Sequence, residues 1–278
     1  MHHRTKSFGP FFRPFFRAFL KGVLKFSLLL SLALALPGKA AWAADIHVMT
    51  SGGFTAAYNQ LVPEFERATG HKVITAYGAS MGNAPDAIPN RLARKERVDV
   101  VILAAPALED LVKQGKVAAG SQTDLVRSLI GMSVRSGAAR PDIGSVDALR
   151  RTLLNAQSIA YSASASGVYI STELFQRLGI ADQVSGKSKR ILSERVGAVV
   201  ARGEAELGFQ QVSELLPVPG VDYVGPLPAE VQRVTVFSAG IASDAAEPDA
   251  ARALIRFFTS PAAAPAITQT GLEPLTRP

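Results

Sequence analysis

The run Asp45-Ile46-His47-Val48-Met49-Thr50-Ser51-Gly52-Gly53-Phe54 decides how this chain folds. Its first six residues are short, partly β-branched and mostly apolar, and predict a strand over 45–50. From Phe54 the apolar spacing changes. Tyr58, Leu61, Val62 and Phe65 fall on one face of a helix running to 69, where Gly70 supplies a stop signal. Pro63 inside that helix predicts a kink or a break. A strand that passes through hydroxyl and glycine residues straight into a helix is the repeating unit of an α/β sheet.

The same alternation continues outward. Strands are expected over 72–77, 98–104, 130–134, 158–162, 206–211 and 233–242. Helices are expected over 89–96, 107–114, 146–156, 168–178, 195–202, 250–258 and 262–268. The run 98–104 is apolar on both faces apart from Asp99, which marks a central parallel strand. Internal repeats and Gly/Ser linkers are absent from the sequence. The expected fold class is α/β, with two lobes joined by hinge strands and a ligand cleft between them, over residues 44–278.

Composition narrows the function. The chain has 278 residues, 47% of them hydrophobic, and a formal net charge of +7. Seven of its 30 basic residues (Arg4, Lys6, Arg13, Arg17, Lys21, Lys25, Lys39) lie within 1–43, a segment with no acidic residue. The rest carries 23 basic against 23 acidic side chains, so no polyanion-binding surface is expected, and nucleic acid is excluded as a partner. Residues 1–43 read as a cleavable export signal: a basic region to Lys25, an apolar stretch over 26–36, then Ala41-Trp42-Ala43. An uncleaved amphipathic anchor is the alternative. The absence of cysteine rules out disulfides, thiolate metal sites and a lipid-bearing cysteine. A periplasmic protein is expected, and nothing demands more than a monomer.

Three strand-to-helix junctions share one chemistry: Thr50-Ser51-Gly52-Gly53-Phe54, Gly78-Ala79-Ser80-Met81-Gly82 and Ser164-Ala165-Ser166-Gly167-Val168. Glycine lets the backbone approach a ligand, hydroxyls donate, and first-turn N–H groups carry the positive end of the helix dipole. Each junction alone is explained by N-capping. Three converging would hold a multi-oxygen anion without a metal or cofactor. Ser51, Gly52, Gly53, Ser80, Ser166 and Gly167 are therefore the candidate binding residues. Arg195 opens a helix, where the dipole disfavours it. It is either a solvated surface residue or a fork for a bound carboxylate. Gln210 and Gln211 end an apolar strand, and one of them is expected to face a polar cleft, the alternative being a satisfied core amide. Arg91 and Arg94 read as surface charges.

Other chemistries fail on the residues available. Past the first 43 residues only His47 and His71 remain, too few for a histidine metal cluster. Gly78-Ala79-Ser80-Met81-Gly82 matches the nucleophile-elbow pattern, but no histidine follows it to take the serine proton.

From Asp45 to Leu272 the chain resembles the periplasmic molybdate-binding proteins, a branch of the type II periplasmic binding proteins. Tyr77-Gly78-Ala79-Ser80, Val98-Asp99-Val100-Val101, Ser166-Gly167-Val168-Tyr169, Arg195-Val196-Gly197, Glu206-Leu207-Gly208-Phe209 and Phe258-Thr259-Ser260-Pro261-Ala262-Ala263 carry the likeness. It implies two lobes closing over an oxyanion. The family's second-junction ligand serine corresponds to Ser80. Its first-junction serine falls on Gly53, an alanine on Ser166, a backbone-donating valine on Arg195 and a ligand tyrosine on Gln211. Those departures suit a planar multi-carboxylate better than a tetrahedral oxyanion.

Met49-Thr50-Ser51-Gly52-Gly53-Phe54-Thr55-Ala56 and Gly208-Phe209-Gln210-Gln211-Val212-Ser213-Glu214-Leu215-Leu216 resemble the branch that includes bacterial aconitate isomerases. That likeness implies cofactor-free interconversion of cis- and trans-aconitate. Such a reaction needs a base, for which Glu194, Tyr169 and His47 are candidates, beside Arg195 as the charge that holds the substrate. The alternative is a receptor delivering a polycarboxylate or molybdate-like oxyanion to a membrane permease.

Overall fold

The computed structural model describes residues 43–275. The expected export signal, 1–43, lies outside the described residues but for Ala43. The described residues contain eleven strands: β1 (Asp45–Ser51), β2 (Lys72–Gly78), β3 (Val100–Ala104), β4 (Thr123–Ser128), β5 (Ile130–Arg135), β6 (Ile159–Ser162), β7 (Ser188–Ile191), β8 (Leu207–Gln211), β9 (Val221–Pro226), β10 (Thr235–Ile241) and β11 (Glu273–Pro274). They form two sheets, ordered β11-β4-β10-β3-β1-β2 and β7-β6-β8-β5-β9. Each sheet carries helices and its own core, giving two α/β lobes, as the resemblance implies.

In the first sheet β1 runs parallel to both β2 and β3, and Ser51 pairs with Gly78 at the end of the ladder. That register sets the first two junctions side by side. The strand β3 is buried along its whole length, as its continuous apolarity predicts. Asp99, just before it, is buried too. Its carboxylate accepts backbone N–H bonds from His47 (2.8 Å), Ala246 (2.7 Å) and Glu247 (3.0 Å), so the charge has the partners burial requires.

The helix α1 (Gly52–Thr69) buries Phe54, Tyr58, Leu61 and Phe65 against the first sheet, while Val62 is only half-buried. Pro63 does not break it. The proline stands on the exposed face, where water can take the carbonyl it leaves without a partner, and the buried stripe is uninterrupted. Six further helices matter for the site or its support: α2 (Ile88–Ala93), α3 (Ala105–Lys113), α4 (Val146–Asn155), α5 (Ala165–Tyr169), α6 (Ala181–Ser185) and α7 (Val196–Ala201). After β8 comes one short turn, α8 (Val212–Leu215), and near the end α9 (Pro248–Phe258) packs Phe258 edge-on to Phe54. The helix expected over 168–178 begins earlier, at Ala165, and runs on through a π turn at Ile170–Leu174.

The chain crosses between the sheets twice. Leu129 alone separates β4 from β5, and residues 227–234 lead back from β9 to β10. Gln232 clasps the two crossings: its Oε1 accepts the Ile130 N–H (2.9 Å), and its Nε2 donates to the carbonyls of Ile130 (3.0 Å) and Leu227 (3.3 Å).

Candidate functional site

The ends of β1 and β2 face those of β6 and β8 across a cleft of about 450 Å³, the size of a small-molecule site. At the first junction Ser51 is the N-cap of α1, but its hydroxyl caps nothing. Ser51 Oγ is buried without a hydrogen-bond partner, and the first turn of α1 holds no acidic residue. The N-terminal end of the helix dipole therefore opens onto the cleft, beside the Glu214 side chain. Gly52 and Gly53 are demanded by close neighbours. A Cβ at Gly53 would lie 2.1 Å from the Phe237 ring, and one at Gly52 would lie 2.0 Å from Glu214 Oε1.

At the second junction the Ala104 N–H donates to Ser80 Oγ (3.0 Å), which leaves the Ser80 hydroxyl proton free for another acceptor. The Ser80 N–H donates across the cleft to Ser164 Oγ (3.3 Å). At the third junction the hydroxyls of Ser162 and Ser166 lie 3.1 Å apart, both buried at the cleft wall.

The opposite wall is organised by Gln210. Its Oε1 accepts the Val196 N–H (2.9 Å), capping α7, whose N-cap residue is Arg195. Its Nε2 donates to Glu214 Oε1 (2.8 Å). Arg195 is half-buried on the cleft, and among the described residues no carboxylate oxygen lies within 4.0 Å of it. Its guanidinium is thus available to an incoming anion. Gln211 is buried, its Nε2 bonded to Thr235 Oγ1 (3.0 Å) and its Oε1 without a partner. Turning that amide over keeps the Thr235 bond, with the hydroxyl as donor, and puts a donor NH₂ where the unpartnered oxygen was.

Residues 46–273 match the family described as bacterial extracellular solute-binding protein. The chain belongs to that family. Among its relatives, the aconitate isomerase of a Pseudomonas species is 50% identical over 228 residues, covering 82% of this chain and 87% of that one. The molybdate-binding protein ModA of Azotobacter vinelandii is 30% identical over 181 residues, covering 63% of this chain and 68% of that one. Among solved structures, the periplasmic molybdate-binding protein of Azotobacter vinelandii superposes with a TM-score of 0.66 at 22% identity, covering 82% of this chain and 98% of that one.

In this solute-binding protein the cleft gathers Ser51, Gly52, Gly53, Ser80, Ser166, Glu194, Arg195, Gln210 and Gln211. Three residues expected there lie elsewhere. Tyr169 is buried in the core of the second lobe, where its hydroxyl donates to the Val231 carbonyl (2.7 Å) and its ring underlies the Arg233 guanidinium. It is not among the residues that line the cleft. Gly167 serves packing instead, since a Cβ there would fall 1.6 Å from the Ser162 carbonyl oxygen. Glu194 reaches only the rim, exposed, with both carboxylate oxygens held by Arg202 (3.0 and 3.1 Å). His47 sits four residues before the cleft end of β1 and is not part of the wall.

Two acidic groups in the cleft escaped the sequence reading. Asp86, in the loop before α2, lines the wall with Oδ1 buried and unpartnered. Glu214, on α8, stands beside Gly52. Burial pushes its carboxyl up to about 7, against the opposing pull of the Arg195 charge and hydrogen bonds from the Gln210 side chain and the Gln211 backbone. The one signal in the sequence was Glu214's place four residues after Gln210, which puts both on the same side of a strand-to-helix turn.

Proposed function

We propose that this protein is a periplasmic aconitate isomerase, a cofactor-free catalyst of the allylic proton shift between cis- and trans-aconitate. The observation that carries the reading is the 50% identity to the Pseudomonas aconitate isomerase over 82% of this chain and 87% of that one. The chemistry of the cleft agrees. One guanidinium without a carboxylate partner, an open helix N-terminus and the hydroxyls of Ser51, Ser80 and Ser166 make a donor shell for several carboxylates at once.

The reaction removes a proton from the methylene carbon and returns one to the former vinyl carbon, so the double bond migrates by one position. Between the two transfers the charge spreads over a planar dienolate and its terminal carboxylates. The same donors that bind the carboxylates stabilise that charge when it develops. Geometry of the new double bond is set by the rotamer in which the methylene arm is bound. Holding one arm cis and the other trans therefore makes the product isomer without rotation in the intermediate.

Relatives named for molybdate favour a second reading, a receptor that binds a polycarboxylate or oxyanion for a permease. The two readings differ in whether the ligand is consumed. The purified protein, incubated with trans-aconitate in D₂O and followed by proton NMR, should produce the cis isomer at a rate proportional to protein. Saturation transfer without conversion identifies a carboxylate receptor, and absence of any interaction returns inorganic oxyanions to first place.

A further inference from the structure

Resting on the isomerase reading, we infer that Glu214 is the residue that moves the proton, taking it from one allylic carbon and delivering it to the other. The placement is what assigns it. Glu214 is the one carboxylate of the cleft pinned by a side-chain amide, with Gln210 Nε2 holding Oε1 at 2.8 Å. It abuts Gly52 at the mouth of α1 and lies within the field of Arg195. A substrate whose carboxylates engage Arg195 and the α1 N-terminus brings its carbon skeleton to this carboxylate. The other carboxylates are less suited. Glu194 is exposed and chelated by Arg202, and Asp86, in the loop before α2, has no hydrogen-bond partner at Oδ1 to orient it.

The step balances within the site. A Glu214 oxygen takes the methylene proton, and the C–H electron pair becomes the new double bond while the old one shifts its electrons into the dienolate. The Glu214 O–H then gives that proton, or one it has exchanged with solvent, to the other terminal carbon, restoring the carboxylate and both charges. The two oxygens of one carboxylate are spaced nearly as the ends of an allyl unit, so a single group on one face serves both carbons. An acid held near neutrality is suited to both halves, because it is neither too weak to abstract nor too strong to return the proton.

The test is the NMR experiment on Glu214→Gln beside the wild type. The wild type should convert trans-aconitate and exchange its methylene protons with D₂O. In Glu214→Gln both processes should fall by at least about 100-fold while saturation transfer to bound aconitate persists. Glu214→Asp, which keeps a carboxyl on a shorter arm, should recover part of the lost rate. A Glu214→Gln protein converting within about 10-fold of the wild type overturns the assignment alone and passes the role to Asp86. Loss of aconitate binding in both variants reduces Glu214 to a structural part and also overturns it. A wild type that binds but never converts overturns the isomerase reading, and the assignment with it.

Discussion

Ser80 and Ser164 join the two sheets across the mouth of the cleft, the Ser80 N–H donating to Ser164 Oγ at 3.3 Å. A second tie lies deeper, where Ser213 Oγ donates to the Gly53 carbonyl at 2.7 Å, linking α8 to α1 across 160 positions of sequence. Both ties involve the junction residues themselves. Closing the lobes and assembling the donor shell are therefore the same event, and a ligand bridging these junctions would favour the closed arrangement over an open one.

Arg195 should dominate affinity. With no carboxylate oxygen within 4.0 Å of it among the described residues, its guanidinium is free to make two parallel hydrogen bonds to a substrate carboxylate. Arg195→Ala is expected to weaken aconitate binding by about 2 kcal/mol or more, roughly 30-fold in Kd by titration calorimetry. Arg195→Lys should restore only part of it, because an ammonium lacks the planar fork. Unchanged affinity in Arg195→Ala would make it a surface residue.

Stability should record the cost of burying Glu214. Its carboxyl rises from the ordinary 4.5 to about 7 on folding, so the folded state favours the protonated form. The stabilisation is full below about 4.5 and is lost as pH rises through about 7, a difference of up to about 3 kcal/mol. Thermal unfolding of Glu214→Gln should therefore exceed the wild type at pH 8 by several degrees and converge with it near pH 4.5. Equal melting temperatures at pH 8 would mean that the carboxyl is not raised.

The two glycines of the first junction should separate function from folding. A Cβ at Gly52 meets only the tip of the Glu214 side chain, which can swing away. Gly52→Ala should keep the melting temperature within a few degrees, about 1 kcal/mol, and lose turnover. A Cβ at Gly53 meets the buried ring of Phe237, so Gly53→Ala should cost about 1–3 kcal/mol in chemical denaturation.

Tyr169→Phe should leave turnover unchanged. Removing the hydroxyl loses its bond to the Val231 carbonyl, worth about 1 kcal/mol, and that loss should appear in denaturation alone. A fall in kcat at constant stability would return Tyr169 to the chemistry.

What the sequence made legible follows from where residues sit. β1, β3 and α1 announced themselves because each buries a whole face or both faces. β4, β7 and β9 did not, since the charges of Asp124, Arg127, Lys189, Arg190 and Asp222 interrupt the apolar alternation of those short strands. The junction residues were visible through their glycines and hydroxyls. Tyr169 looked chemical because a tyrosine follows the third junction, yet helix periodicity turns its ring inward to the core. Glu214 was invisible as an acid of altered strength, because the burial that alters it comes from α1, some 160 positions away in the chain.

Gln210 grips α7 with its oxygen and Glu214 with its nitrogen, so one amide sets the footing of the binding charge and the bearing of the reactive carboxylate. That arrangement constrains the order in which such a catalyst could arise from a passive receptor. A glutamate introduced at position 214 before the amide would be a half-buried anion lacking its side-chain donor, a burden on folding with no compensating chemistry. With the amide already in place as a helix cap, the same glutamate finds its partner waiting. The amide is the natural first step, and laboratory evolution of a receptor toward proton transfer would do well to install it before the acid.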